Sequence, residues 1–472
     1  MIDVRRFRVL LSLLVSSGSA LTALGSANAE QPEPDVAASR HLVAGRAAYV
    51  ESCARCHGPE GKGDGPDAKR LYPKPRDLTS GVFKFRSTAT GTAPTDEDLF
   101  HTITNGLPSA GMPDWKHLDE SVRWQLVAYL KSLSSVFQDR PPELVSLGTD
   151  PGPKRADLAQ GKAIYEKLGC AACHGADGRA NGPSASSFTD NWGLPVRPAN
   201  LAQGWNYRGG SDPHAIVQRI LTGMDGSPMP SYAEAATPDE VWQLAYYVRS
   251  LQQEPRWGMI VRVPHLAQPV PATLDDPRWK TVSRHDVWVR NTVDAEGALS
   301  APQTVTAVSF QAVANDEVIS FRVAWYDPSE DREDPADALA LVLKPAGVRG
   351  DTVTLQTWPL RDAPALDLCV WSAKSQQVRE VVSKSYEPMP AGGVPLASQA
   401  RYDHGEWVVV LTRPLMPSDV PPARPELVGA GGEAAVFEPQ RLAPVAFAVW
   451  DGSNTGQRAV SAWVDVVLEE DR

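Results

Sequence analysis

The sequence predicts a multidomain chain: two all-α domains followed by an all-β, sandwich-like domain. Three observations predict it. The pentapeptide Cys53-Ala54-Arg55-Cys56-His57 returns 117 residues later as Cys170-Ala171-Ala172-Cys173-His174, each copy inside a matching frame. Each frame closes on a stretch with helical spacing, Trp124 to Leu133 and Trp242 to Leu251, in which Trp, Leu, Tyr and Leu recur at the same positions. Beyond about Glu254 that period gives way to alternation, and eight of the fourteen Trp follow Trp257.

At the start of the chain, Arg5, Arg6 and Arg8 precede an apolar stretch, Val9 to about Leu24, that ends at Ala27-Asn28-Ala29. A basic opening, a short apolar run diluted by Ser and Gly, and a small-x-small triplet make residues 1–29 a cleaved secretory signal peptide. The run is short for a membrane anchor and nothing later reaches a spanning length. The mature chain is therefore expected to be periplasmic, with no transmembrane segment. Cleavage leaves 43 basic against 56 acidic residues, a net charge of −13, which argues against nucleic acid as a partner.

The first domain spans 36–137. Gly45 and Tyr49 lie on a helix leading into the motif, a small residue and an aromatic where the closing helix crosses closely. The Gly- and Pro-rich stretch Asn105 to Trp115 is a loop and carries Met112. Asp119 is placed to cap the closing helix. A linker, 138–155, is rich in Pro and charge. The second domain, 156–252, repeats the first: Gly161 and Tyr165 precede its motif, Gly182-Pro183 follows it as Gly65-Pro66 follows the first, and Met229 stands on its loop. Thr237, Pro238 and Glu240 give its closing helix an N-cap, a first-turn Pro and a capping-box carboxylate.

In the third domain, 262–472, Ile319, Phe321, Val323 and Trp325 alternate with Ser320, Arg322 and Ala324. Trp407, Val409 and Leu411 repeat the pattern, as do Val460, Ala462, Val464 and Val466, and such strands over this length suit a sandwich. Cys369, the one Cys outside the motifs, sits in the apolar run Leu366 to Trp371 and is read as a buried, inert thiol. The run Asp327 to Asp337 holds six carboxylates without the regular ligand spacing of a calcium loop, and is read as solvated.

C-x-x-C-H is the attachment pattern of c-type haem: two thiols one helical turn apart can each bond a haem vinyl group, and the following His turns its imidazole to the iron. A zinc site needs four ligands, whereas each motif offers two thiols and one imidazole. Met112 and Met229 each stand 55 residues after His57 and His174, beside Pro, and a thioether suits haem iron and not zinc. Met224 competes with Met229, but the residue aligned with it in the first copy is Leu107. The other seven His form no metal-like cluster, and His101, aligned with Gln218, belongs on the surface.

Over most of both copies these residues resemble the class I cytochromes c. The resemblance implies that Cys53, Cys56, Cys170 and Cys173 form the thioethers of two covalently bound haems c. It implies that His57 and His174 are the proximal ligands of iron and Met112 and Met229 the distal ones. It further implies that a Pro carbonyl, of Pro66 or Pro183 nine residues after each His, holds the proximal imidazole. Iron with both axial positions filled has no open site for oxygen, peroxide or substrate and so passes electrons, at a potential raised by the thioether.

From roughly Arg262 onward the chain resembles the haem-binding domain of the ethylbenzene dehydrogenase γ-subunit family, found with molybdenum oxidoreductases of the dimethyl-sulfoxide-reductase type. The likeness rests on Ala324-Trp325-Tyr326-Asp327-Pro328, on the strand ending at Trp371, and on Phe447-Ala448-Val449-Trp450-Asp451-Gly452 followed by Val460-Ser461-Ala462-Trp463. That family holds a haem b between a Met and a Lys, the Lys directly after the Trp of the middle motif. Here that place is Ser372, Lys374 lies two residues on, and no Met lies between Met259 and Met389. The fold likeness is therefore expected without a tightly bound haem b.

The sequence thus predicts an exported dihaem electron carrier, subunit or redox partner of a molybdenum oxidoreductase. Two rival readings make different demands. A dihaem peroxidase-like enzyme needs one iron to lose its distal ligand, and a haem- or ligand-binding module places the chemistry in the C-terminal domain.

Overall fold

The computed structural model describes residues 36–292, 299, 303–344, 366–383, 394–415, 435, 437–454 and 458–469. The expected leader, 1–29, lies outside them, as does Met389. Among the described residues no helix is long and apolar enough to cross a membrane.

Helix α1 (Val36–Ser52) runs into the short helix α2 (Ala54–His57) with Cys53 at the joint, where Cys53 N donates to the Tyr49 carbonyl at 2.8 Å. Helix α3 (Asp96–Asn105) opens on a capping box between Thr95 and Asp98. Helices α4 (Glu120–Ser132) and α5 (Val136–Asp139) follow. Asp119 stands at the N-cap of α4 without a side-chain bond to the helix, so the expected cap holds in position alone. Leu126, Val127 and Leu130 bury one face of α4, whereas Trp124 stays exposed, stacked on Phe100.

The second set is α6 (Leu158–Lys167), α7 (Ala171–His174), α8 (Pro213–Thr222) and α9 (Pro238–Leu251), the last with the expected capping box of Thr237 and Glu240. A Cβ on Gly45 would come within 2.1 Å of the Gln125 carbonyl oxygen, and one on Gly161 within 2.3 Å of that of Gln243. Glycine is what lets α1 cross α4, and α6 cross α9, at this distance. Trp242, twin of the exposed Trp124, is buried because residues 138–155 lie across it: its Nε1 donates to the Leu147 carbonyl at 2.7 Å, and the Tyr246 hydroxyl to Asp150 at 2.8 Å. The other end of that segment is bonded to the first helical set, with Val145 N donating to the Ser87 carbonyl at 3.0 Å. The expected linker is a bonded strap.

The C-terminal part is all β: β1 (Ile260–Val263), β2 (His285–Asn291), β3 (Ala307–Ala314), β4 (Val318–Tyr326), β5 (Ala338–Leu343), β6 (Leu366–Ser372), β7 (Gln377–Ser383), β8 (Val394–Asp403), β9 (Glu406–Pro414), β10 (Ala443–Trp450), β11 (Arg458–Ser461) and β12 (Val464–Leu468). The order β1-β12-β10-β11-β2-β3-β4-β9-β8-β7-β6-β5 closes on itself because β5 also pairs with β10, Ala338 opposite Trp450. Closure leaves few free edges, the usual reason for a barrel or sandwich. The alternating residues of β4 and β9 point to one interior with Leu341, Trp371 and Phe447. The other faces of β5, β6 and β10 form a second buried cluster, so these strands read as continuous apolar runs.

Two expectations need correction here. The segment Val460 to Val466 is not one strand: Val445 pairs with Val464 and Ala448 with Val460, so three steps along β10 match four along its partner. The extra residue is a bulge that inverts the alternation, sending Val460 to the second cluster and Val464 and Val466 to the interior. The acidic run is not solvated at its ends. Asp327 and Asp337 abut the core strands β4 and β5 and are fully buried. Cys369 is likewise fully buried on β6, where loss of water holds its thiol well above the usual range. His101 is exposed as expected.

Candidate functional site

The two motifs are built alike. His57 Nδ1 lies 3.0 Å from the Arg76 carbonyl oxygen, and His174 Nδ1 2.8 Å from that of Ala199. A carbonyl only accepts, so each Nδ1 carries the hydrogen and each Nε2 keeps its lone pair, the tautomer a ligating His needs. Loss of water lowers the basicity of both rings, which favours the neutral form. Beside each His, the Tyr49 hydroxyl donates to the Gly58 carbonyl at 2.7 Å and the Tyr165 hydroxyl to that of Gly175 at 2.6 Å.

These acceptors correct the expectation for Pro66 and Pro183. The Gly-Pro turns pack on the motif helices instead: a Cβ on Gly65 would meet the Arg55 carbonyl oxygen at 2.3 Å, and one on Gly182 that of Ala172 at 2.4 Å. The imidazoles are held from further along the chain, by a second recurrence: Pro75-Arg76-Asp77-Leu78 and Pro198-Ala199-Asn200-Leu201. Each copy is pinned by its Leu, Leu78 N donating to the Gly61 carbonyl at 2.7 Å and Leu201 N to that of Gly178 at 2.5 Å. That recurrence was present in the sequence and was the signal that could have found the acceptors.

All four motif Cys are partly buried, and none is paired in a disulfide. Burial pushes the Cys53 thiol up to about 12 and that of Cys170 up to about 11. Among the described residues, one group of three His, Cys, Asp or Glu brings its ligand atoms within 4.8 Å of one another, and it is Asp327, Asp337 and Asp451. The Cys and His of the motifs therefore do not converge on a point as zinc ligands do.

The Met loops also match. Leu107 and Met112 exchange backbone hydrogen bonds of 2.9 and 3.2 Å, and Met224 N donates to the Met229 carbonyl at 3.0 Å. Met229 thus occupies the place of Met112, and Met224 that of Leu107. Both Met224 and Met229 line a cavity of about 330 Å³ together with Cys170, Cys173 and His174.

The cavity wall carries Lys84, Arg179, Arg197, Arg208 and Arg219 and, among the described lining residues, no carboxylate. Loss of water, with other cations close by, pushes Lys84 down to about 8 and Arg219 down to about 10. In a chain of net charge −11 this is a local excess of positive charge facing an apolar slot. Haem fits that donor set: thiols for its vinyl groups, an imidazole with a free Nε2, and cations for its propionates. Sequence reasoning missed the cations because they come from both helical sets and act only where the fold collects them.

The wall is shared three ways. Tyr72, Lys84 and Phe85 reach it from the first helical set, and Gln303, Thr306 and Tyr326 from the β part. The helical sets are locked together by Arg86, whose buried guanidinium donates at 2.8 Å to both the Thr222 carbonyl and Asp225. Arg76, whose carbonyl holds His57, lays its guanidinium over the Trp192 ring at 4.1 Å. On the β side, Thr306 donates to Gln203 at 2.7 Å, and His404 meets Asp177 at 2.9 Å.

Residues 41–130 match the family model described as Cytochrome C oxidase, cbb3-type, subunit III, and residues 158–252 the one described as Cytochrome c. The chain carries two class I cytochrome c domains in tandem. Such domains imply covalently bound haem c and electron transfer. The tandem cytochrome is similar to the Cbb3-type cytochrome c oxidase subunit CcoP of Azospirillum sp. (strain B510), 26% identical over 223 residues, which are 44% of this chain and 62% of that protein. It is also similar to the FixP subunit of Azorhizobium caulinodans, 26% identical over 211 residues, 44% of this chain and 58% of that one. It therefore spans less than two thirds of the length of these two relatives. Among solved structures, a chain of the Kuenenia stuttgartiensis reducing HAO-like protein complex is 44% identical, covering 44% of this chain and 96% of its own, at a TM-score of 0.43.

Proposed function

We propose that the tandem cytochrome is an exported two-haem electron carrier in which Cys53 and Cys56, and Cys170 and Cys173, anchor the haems. His57 and His174, with Nε2 free, and Met112 and Met229, on the matching loops, would hold the iron. The bound haem supplies one-electron exchange. Around it, the Arg76 and Ala199 carbonyls fix the imidazole tautomer, and Lys84, Arg208 and Arg219 offset the charge of the propionates. The observation that carries this reading is recurrence: the His–carbonyl bond, the Tyr–Gly bond and the Met loop each occur twice, at matching places. Iron held by both a His and a Met would have no position left for peroxide, which favours a carrier over a peroxidase.

The β domain serves, in this reading, to dock the carrier to a molybdenum oxidoreductase of the dimethyl-sulfoxide-reductase type. The support is the resemblance of its Trp-bearing strands to the ethylbenzene dehydrogenase γ-subunit. Ser372, in the place of that family's Lys ligand, is buried, and Lys374 turns outward to pair with Asp334. Trp325, Trp371 and Trp407 pack against one another in the interior.

A pyridine haemochrome assay on the exported protein is expected to give two covalent haems per chain, with none removed by acid-acetone. Met112→Ala and Met229→Ala should each remove part of the weak charge-transfer band of Met-ligated ferric haem. One covalent haem, or an unchanged band, overturns the ligand assignment. Purification of the native complex should bring down a molybdenum-containing subunit, and a partner without molybdenum overturns that part of the reading.

A further inference from the structure

The buried aspartates of the β domain have a geometry the electron-carrier reading does not use. Asp327 follows β4, Asp337 precedes β5 and Asp451 follows β10. Since Ala338 pairs with Trp450, Asp337 and Asp451 extend that ladder by one residue and stand beside each other at its end. One carboxylate oxygen from each of the three lies within 4.8 Å of the others, and all three residues are at most 3% exposed.

Hydrogen bonding accounts for only part of this cluster. Asp337 is fully engaged: its Oδ1 accepts from Gly452 N at 2.8 Å, and its Oδ2 from Asp331 N and Trp407 Nε1, each at 2.8 Å. Asp327 Oδ1 accepts from Ser329 N at 3.2 Å and Asp451 Oδ1 from the Ser453 hydroxyl at 2.7 Å. Asp327 Oδ2 and Asp451 Oδ2 are buried and have no partner at all. Among the described residues no Arg, Lys or His pairs with any of the three. Buried carboxylates left unpaired beside one another are strongly unfavourable, so the arrangement calls for a positive charge that no described residue supplies.

We propose that Asp327, Asp337 and Asp451 form a Ca²⁺ site. The donor set is all oxygen, which suits a hard cation and not zinc or copper. Three protein carboxylates on irregular loop ends suit Ca²⁺, which takes six to eight oxygens in flexible geometry; Mg²⁺ keeps several waters and takes one or two carboxylates. The sequence pattern hid the site because its third ligand, Asp451, lies 114 positions beyond Asp337 in the chain.

The position gives the ion a structural role. Ser453, whose hydroxyl bonds Asp451, also accepts from Arg197 Nη2 at 3.0 Å, and Arg197 lines the cavity of the second cytochrome domain. Tyr326 and Pro328, on either side of Asp327, line the same cavity. The ion thus ties the β4–β5 loop to the end of β10 and braces one wall of that cavity.

The test uses the full-length, haem-loaded protein. After removal of metal by chelation, Ca²⁺ titration by calorimetry is expected to show one site per chain, and Tb³⁺ in the same site should emit on Trp excitation, since Trp407 is bonded to Asp337. Asp451→Asn and Asp327→Asn, close in shape, should each weaken Ca²⁺ binding at least tenfold while two haems per chain remain. Should either variant fail to fold, titration of the unsubstituted protein decides alone. No binding at millimolar Ca²⁺, or Mg²⁺ binding as tightly as Ca²⁺, overturns the assignment. Because the readout is metal binding, its failure leaves the haem reading untouched.

Discussion

Arg86 holds the two cytochrome domains together, and replacing it offers a measurable test of that clamp. Its side chain is fully buried and pairs with Asp225 at 2.8 Å, while also donating to the carbonyls of Thr222 at 2.8 Å and Phe83 at 3.1 Å. Arg86→Ala leaves Asp225 without its cation and the Phe83 carbonyl without that donor, while the Thr222 carbonyl keeps the Thr90 hydroxyl at 3.1 Å. Breaking a buried pair by removing one partner costs about 3–5 kcal/mol. Asp225 is 17% exposed and keeps a bond from Gly91 N at 3.0 Å, which places the expected loss at the lower end, about 3 kcal/mol. At about 1.4 kcal/mol per decade, that is roughly a hundredfold faster local opening. Amide hydrogen exchange read by mass spectrometry on peptides covering 83–92 and 218–232 measures it without assuming two-state unfolding, which a multidomain chain does not obey. Replacing both partners, Arg86→Met with Asp225→Leu, should recover most of the protection because no charge is then left alone. A change of less than threefold in Arg86→Ala would refute the clamp.

Gly161→Ala sets two effects against each other. Helix propensity favours Ala by about 1 kcal/mol, but its Cβ would lie 2.3 Å from the Gln243 carbonyl oxygen. Overpacking costs of about 1–3 kcal/mol should win, so the melting temperature of the haem-loaded protein should fall, and a rise would show that α6 and α9 can separate freely. The buried Arg413 faces two carboxylates, Glu380 at 2.7 Å and Asp367 at 3.3 Å. One guanidinium cannot neutralise both, and burial pushes Glu380 up to about 7. A carboxyl whose folded value is raised binds its proton more tightly in the native state, so the contribution of Glu380 to stability is fully present below about 4.5 and is lost as pH rises to about 7. The fall should be about 3 kcal/mol over that window. Denaturant titrations should show this slope flatten in Glu380→Gln, and an unchanged slope would count against the raised Glu380 carboxyl.

The sequence by itself determined the features whose geometry is local. Two thiols and an imidazole within five residues must share one helical turn, so Cys53, Cys56 and His57, and Cys170, Cys173 and His174, were legible as a donor set without any fold. The equal offsets to Met112 and Met229, the capping box at Thr237 and the alternation in β4 and β9 were legible for the same reason: each depends on chain period alone. What the tertiary structure decided is how distant segments meet. The Arg76 and Ala199 carbonyls reach their imidazoles only after the loop has folded back, and the bulge between β11 and β12 exists only against β10. Cations from both helical sets share one cavity wall, and Asp451 joins Asp327 and Asp337 only through the β5–β10 pairing. A residue's period along the chain fixes which way it faces within its own element. Its partners are fixed by closure of the fold, through contacts between residues that no local pattern relates.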